Sequence, residues 1–502
     1  MAECLRDSFP TAPAPFGGGA PSKPAEGEQP MPAIKVDTIV HGGQVVTSSE
    51  VYEASIAIKG EKIVAIGPDG LLPPADNRID ASGKYVLPGA IDCHVHLGGH
   101  DDYYTGGIAA AHAGLTTIIP FALYDLASRE TLPQAIKRHN EEVGKVSVVD
   151  FAWHFILNND PYIFEGLPEA LGMGVTSYKM FMTYKKRKDR MCSDSFICRA
   201  MEIIAAGGGI TQLHCENGDV IDFLENKLMA EGRVHPRDFP LACPDWTEEE
   251  AINRAIKMGA LTNCPVYVVH LSTLLGLERI KQAQAEGQRV WTESCPQYLL
   301  LSDAEMDRWG PLAKIGPPLR PAGGPNQPAL WKGLEQGYIS CVASDHAPAS
   351  QELKQAGWQN IFVGPNGAVI PFGSPGIETL VPLMYSEGVV KRGLPIWWMA
   401  RALGENPARI FGLYPRKGVI RVGSDADLLI YDPTPAWTIR AAEHFSKTGY
   451  TLFEGWEVHG RPWMTLLRGR VLLNQGKLEQ QPGYGAFIPA GSPVPPIGGR
   501  VK

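Results

Sequence analysis

The chain predicts an α/β fold, a (β/α)8 barrel of the TIM type joined to a small β-sandwich domain built from both chain ends. Three observations predict it. Eight apolar strand candidates alternate with helical stretches through the middle of the chain. Polar residues fall at the C-terminal ends of those strands, where such barrels carry their active sites. β-rich sequence flanks the alternating block on both sides. A doubly wound open sheet is the alternative, and the strand count and the polar strand ends favour the barrel.

Residues 1–33 read as a disordered tail. The segment TAPAPFGGGAPSKPAEGEQPMP has almost no large apolar residues and cannot bury enough surface to fold. Next come DTIVHGGQVVT and EASIAIKGEKIVAIG, which alternate apolar and polar residues and meet at glycine-containing turns. The same character returns in GVIRVGSDADLLIYDP and WMTLLRGRVLLNQGKL. Residues 34–86 plus 412–480 are therefore expected to form one small β domain. Residues 87–411 form the barrel, and 481–502 form a C-terminal extension. The barrel strands are GAIDCHVHL, TTIIPFAL, VSVVDFAWHFIL, GVTSYKMFM, ITQLHCEN, PVYVVHLS, RVWTESCPQYL and ISCVASDHAP. Helical periodicity lies between most of them, as in LPQAIKRHNEEV and LGLERIKQAQAEG.

Composition narrows the class. Of 502 residues, 44% are hydrophobic and 20% charged, as in a soluble globular enzyme. A net charge of -8 argues against a nucleic-acid surface. The nine cysteines include no CxxC pair, and their odd number points to reduced thiols and a cytoplasmic home. The N-terminus lacks the apolar core of a signal peptide, and no stretch has the length of a membrane helix.

The chemistry sits at the strand ends. The first strand ends in Asp92-Cys93-His94-Val95-His96. A side-chain period of two points His94 and His96 the same way, and two imidazoles on one face can hold a first-row metal. The fourth carries Lys179 in an apolar run, where an unpaired ammonium is costly. A structural lysine would have a carboxylate partner. A desolvated one has a lowered pKa and can add carbon dioxide, giving a carbamate whose two oxygens can bridge two metals. The fifth, sixth and eighth strands carry His214, His270 and Asp345. Any one of these is ordinarily a satisfied core or loop residue. At successive strand ends they converge on one mouth.

This pattern resembles the binuclear amidohydrolase superfamily. PGAIDCHVHL, GVTSYKMFMTYK, HCENGD, VYVVHLS, ESCPQYLLL, PPLR, SDHAP, NPARIFGL and GSDADLLIYDP resemble, more narrowly, the hydantoinase/dihydropyrimidinase family over roughly residues 35–485. The resemblance implies two divalent metal ions, zinc first, with manganese or cobalt as alternatives. His94, His96 and Asp345 would hold one ion, His214 and His270 the other, with Lys179, as N6-carboxylysine, bridging them. It implies hydrolytic opening of a hydantoin- or dihydropyrimidine-type ring by a metal-bridging hydroxide. Asp345 would serve as general base then acid, and Tyr184 would stabilise the oxyanion. It also implies a small-molecule cyclic amide as the only partner besides further copies of the chain, in a homotetramer or homodimer. Related alternatives are an imidase, an allantoinase or a dihydroorotase-like enzyme. A non-catalytic scaffold relative would have lost ligand residues, and this chain keeps every one.

Departures from the family pattern concern the substrate. The loop after His96, LGGHDDYYTGG, is short. Gly316 stands before PPLR where the family usually has serine. Phe372 aligns with a family asparagine, with Asn366 as a nearby candidate, so Tyr184, Gly316, Asn366 and Phe372 are the expected substrate contacts. The run KKRKDR after Tyr184 is ordinarily a solvated face; beside the mouth it could also attract anionic substrates.

Overall fold

The computed structural model describes residues 35–498 apart from Lys188, so the expected tail at 1–33 lies outside the described residues. The barrel strands are β1 (Ala90–Val95), β2 (Leu115–Ala122), β3 in two halves (Asp150–Phe151 and His154–Ile156), β4 (Ser177–Phe181), β5 (Ile210–His214), β6 (Val266–Val268), β7 (Val290–Ser294) and β8 (Cys341–Val342). Successive strands pair in parallel from β1 to β8. The ring closes where Val95 bridges His346 and the His96 amide donates to the His346 carbonyl at 2.7 Å. Asp92 reinforces that seam: its Oδ1 accepts from the Ser344 amide on the β8 side at 3.1 Å and from the His94 amide at 3.2 Å.

Burial on both faces explains why these strands read as nearly continuous apolar runs. Every residue of β2, LTTIIPFA, is buried. The helices between them take their starts from local chemistry. The helix α1 (Tyr103–Ala113) begins where the Asp102 carboxylate accepts from the Tyr104 and Thr105 amides. The helix α2 (Leu132–Gly144) begins at a capping box formed by Thr131 and Gln134. The seventh strand is shorter than its apolar run: β7 ends at Ser294, and Pro296, which has no amide to donate, opens the short helix Pro296–Leu300.

The ends of the chain form two further sheets, which fit a sandwich. One has four strands: Val36–His41, Ser55–Lys59, Lys62–Gly67 and Ala75–Asp80. The other has seven and mixes the two ends. Gln44–Val46, Val51–Glu53 and Tyr85–Pro88 come from the start, and Leu428–Thr438, Glu457–Leu467, Arg470–Asn474 and Lys477–Leu478 from the finish. Val40, Ile56, Ile58, Val86, Leu428 and Leu466 belong to one core cluster, so each sheet buries its alternating apolar face against the other.

One ion cluster ties this domain to the barrel. The Lys417 ammonium, fully buried, lies 2.6 Å from Asp150, 2.9 Å from Asp425 and 2.7 Å from Asp427. Buried charges persist only when paired in this way, and the lysine fills the carboxylate trio that would otherwise resemble a cation site. Residues 481–498 run along the barrel floor, where Ile488 donates to Phe151 at 2.7 Å and Ala490 to Gly174 at 2.9 Å.

Candidate active site

The residues singled out at the strand ends meet at one end of the barrel. A cavity of about 350 Å³ opens there, lined by His96, Lys179, His214, His270 and Asp345, with His94 buried behind them. The two histidines of β1 do not follow a simple alternation. The strand bulges against β2 between Asp92 and Val95, a device that re-aims side chains beside active sites. His94 and His96 still converge: their Nε2 atoms lie 3.0 and 3.7 Å from Asp345 Oδ1. Ligand atoms of these three residues lie within 4.8 Å of one another. Lys179 Nζ is 3.1 Å from His94 Nε2. Across the cavity, His214 Nδ1 and His270 Nε2 are 3.0 Å apart.

Three of these positions are held in left-handed backbone conformations: Tyr184 at φ 70°, His270 at 39° and Asp345 at 49°. Non-glycine residues accept such angles at a cost of about 1–3 kcal/mol each, and such strain concentrates at functional sites.

Two carboxylates that sequence reasoning missed set the imidazoles. Glu293, buried on β7, meets His94 Nδ1. It also accepts from the Tyr267 hydroxyl at 3.0 Å and the His270 amide at 3.2 Å. Glu216 meets His214 Nε2 at 2.7 Å. Each carboxylate occupies the rear nitrogen and turns the front one into the cavity, the arrangement that orients metal-binding histidines. The signals were present, as a glutamate inside the apolar run VWTES and another two residues after His214. Phe121, also missed, stacks on His96 with ring centres 4.9 Å apart and meets His94 edge-on at 4.7 Å.

The electrostatics suit a cationic guest. Burial lowers the pKa values of His96, His214 and His270, so these imidazoles stay neutral, the form that binds metal. Burial also pulls the Lys179 ammonium down to about 8, against the opposing pull of Asp345. About a tenth of the lysine is then free amine at pH 7, far more than for an exposed lysine. The donor set of imidazoles, a carboxylate and a buried amine, backed by Glu293 and Glu216, fits a pair of divalent ions.

The expected substrate contacts divide. Tyr184 and Phe372 face each other with ring centres 5.0 Å apart, and Tyr184 lies 5.0 Å from His214. Both line the cavity with Gly316. Asn366 sits at the tip of an exposed turn between Val363 and Val369 and does not line the cavity. The floor under Phe372 is pinned by two buried lysine amines. Lys354 donates to the Leu312 carbonyl at 3.0 Å and the Lys314 carbonyl at 3.1 Å, and Lys314 donates to the Ile361 carbonyl at 2.8 Å. The short loop after His96 brings Gly98 and Gly99 to the rim, and buried Asp101 anchors it by accepting from the Ser446 hydroxyl at 2.6 Å.

Glycine at 316 has a steric reason. A Cβ there would stand 2.7 Å from the Tyr184 hydroxyl oxygen and 3.1 Å from Phe372 Cδ1. Gly316→Ser is expected to push Tyr184 aside and lower kcat/KM about tenfold or more, since displacements of ~1 Å at a reacting centre carry such costs. Steady-state kinetics beside a melting curve checks this; a serine variant with parental kinetics would show that the Tyr184 position is not needed.

A model of the amidohydrolase family matches residues 85–472. A D-hydantoinase of Geobacillus stearothermophilus is 36% identical over 463 residues, covering 90% of this chain and 96% of the relative. An L-hydantoinase of Paenarthrobacter aurescens is 34% identical over 462 residues, covering 90% of this chain and 98% of the relative. The crystal structure of dihydropyrimidinase from Brevibacillus agri NCHU1002 superimposes with a TM-score of 0.85 at 34% identity, covering 91% of this chain and all of that one.

Proposed function

This chain belongs to the amidohydrolase family, among its hydantoinases and dihydropyrimidinases, and on that premise we propose how it opens its ring. It is a cyclic amide hydrolase. The observation that carries the mechanism is the convergence of His94, His96, Lys179, His214, His270 and Asp345 at one barrel mouth.

His94, His96 and Asp345 would hold one ion, and His214 and His270 the other. Lys179 would join them as N6-carboxylysine: its amine nitrogen attacks the carbon of carbon dioxide, loses a proton and becomes a carbamate. Histidine and carboxylate donors favour zinc, with manganese or cobalt as substitutes. Bound metal supplies a hydroxide nucleophile at neutral pH and polarises the scissile carbonyl. Asp345 takes a proton from the attacking water and returns it to the leaving ring nitrogen, base then acid. Burial raises the pKa of Tyr184, so its hydroxyl stays protonated and can donate to the oxygen that gains charge. Gly316 and Phe372 form the wall against which the ring lies.

Residues 34–86 with 412–480 form the small domain, 87–411 the catalytic barrel and 481–502 an extension. The enzyme works in the cytoplasm, a reading that the free thiols of all eight described cysteines support, and assembles as a homotetramer or homodimer. Among the described residues no helix is long and apolar enough to cross a membrane.

The test is a substrate panel on the metal-loaded enzyme: dihydrouracil, a 5-aryl hydantoin, a cyclic imide and allantoin, with Lys179→Ala as the blank. Opening of the hydantoin or dihydrouracil, absent from the blank, is expected. Opening of only the imide or allantoin would move the substrate within the family. Failure on all four with metal bound would overturn the substrate assignment.

A further inference from the structure

The basic run after Tyr184 does not behave as one surface. Its first two residues are neutralised on the helix α3 (Gly218–Ala230): Lys185 lies 2.7 Å from Asp219, and Lys186 lies 2.6 Å from Glu225 and 3.5 Å from Asp222. Arg187 and Arg190 both line the catalytic cavity, Arg187 at its border with two adjoining clefts that Lys185 also lines. Neither forms an ion pair among the described residues. Arg187 lies over the rings of Tyr184 and Phe372, 4.7 and 5.1 Å from their centres. Arg190 lies 5.3 Å from the centre of Phe181. Its Nη1 is buried without a hydrogen-bond partner.

Stacking satisfies the flat face of a guanidinium and leaves its N–H edge free. A buried donor without an acceptor is costly, and that cost is recovered when an oxyanion arrives. Among the described residues the only carboxylate lining the cavity is Asp345, which is turned toward His94 and His96. Among the described residues neither guanidinium has a carboxylate partner, and none but Asp345 stands in the catalytic cavity that both line. Their planar, paired donors match a carboxylate.

We infer that the ring this enzyme opens carries a carboxylate on its substituent, held by Arg187 and Arg190 on the wall formed by Phe181, Tyr184 and Phe372. The inference rests on the ring-opening reading of the site and adds its substrate class. The short loop after His96 is consistent with it, because the substituent is gripped from the β4 side and needs less cover from the β1 side.

The experiment compares 5-(2-carboxyethyl)hydantoin with its apolar isostere 5-(3-methylbutyl)hydantoin on the metal-loaded full chain. The parent, Arg187→Met and Arg190→Gln are each assayed. Calorimetric binding of the two ring-opened N-carbamoyl amino acids gives a readout independent of turnover. The parent is expected to favour the acid in kcat/KM and in binding by about tenfold or more, more strongly at low salt. Each substitution is expected to cut that ratio about tenfold. A parent without preference for the acid, with a ratio unmoved in both variants, would overturn the carboxylate site while leaving ring opening intact. Selective binding of the acid that is lost in both variants, without turnover of either ring, would uphold the site and overturn ring opening.

Discussion

Asp345→Asn is expected to fold, to retain its metal and to turn over at least about a thousandfold more slowly than the parent, the scale on which removal of a positioned acid/base acts. The substitution is nearly isosteric, and asparagine tolerates the left-handed backbone at φ 49° better than most residues. The side-chain oxygen that faces His94 Nε2 at 3.0 Å is kept. The loss is confined to the capacity to accept a proton and return it. Metal analysis and kcat on the same preparation separate the roles. Full metal with lost turnover assigns Asp345 to proton transfer. Metal lost in step with turnover would make it a ligand alone, and near-parental turnover would remove it from the mechanism.

Much of this site was legible because it is written along strands. A candidate ligand at a strand end announces itself as a polar residue breaking an apolar run, as in DCHVH, SYKMF, QLHCEN and ASDHAP. The barrel fold then does the rest, since parallel strands place their C-terminal ends together. What was illegible depends on partners remote in sequence. Glu293 reads as an oddity in an apolar strand until β7 is seen beside β6 and across from His94. The division of KKRKDR was equally hidden. Which cations meet α3 and which meet the cavity depends on the turn after Tyr184, not on composition. Asn366 shows the opposite error, a residue suggested by local alignment that the turn between Val363 and Val369 carries away from the mouth. The bulge in β1 is a third case: a period-two argument put His94 and His96 on one face, and they converge on Asp345 although the strand does not keep that period.

Lys179→Ala is expected to lose metal and activity together, with turnover down at least about a thousandfold, while the protein stays folded. Truncating a buried side chain leaves a cavity that costs about 2–5 kcal/mol for aliphatic cases. Here the change also removes an amine whose charged form is penalised by burial, so the two effects oppose each other. A melting curve near the parent's, with metal content well below two ions per chain, is the expected signature. Short carboxylic acids such as acetate or propionate then serve as probes of the vacated space. They carry the two oxygens that the carbamate would have supplied, and the alanine variant leaves room beside Phe121, whose ring centre lies 4.3 Å from Lys179 Nζ in the parent. Lys179→Met provides the control, because it restores the bulk without an amine and closes that space. Rescue of metal binding and turnover in the alanine variant but not the methionine variant is expected for a bridging carbamate. Rescue in neither, with metal retained in both, would mean that the lysine acts as a buried cation and that His94, His96, His214, His270 and Asp345 hold the metal without it.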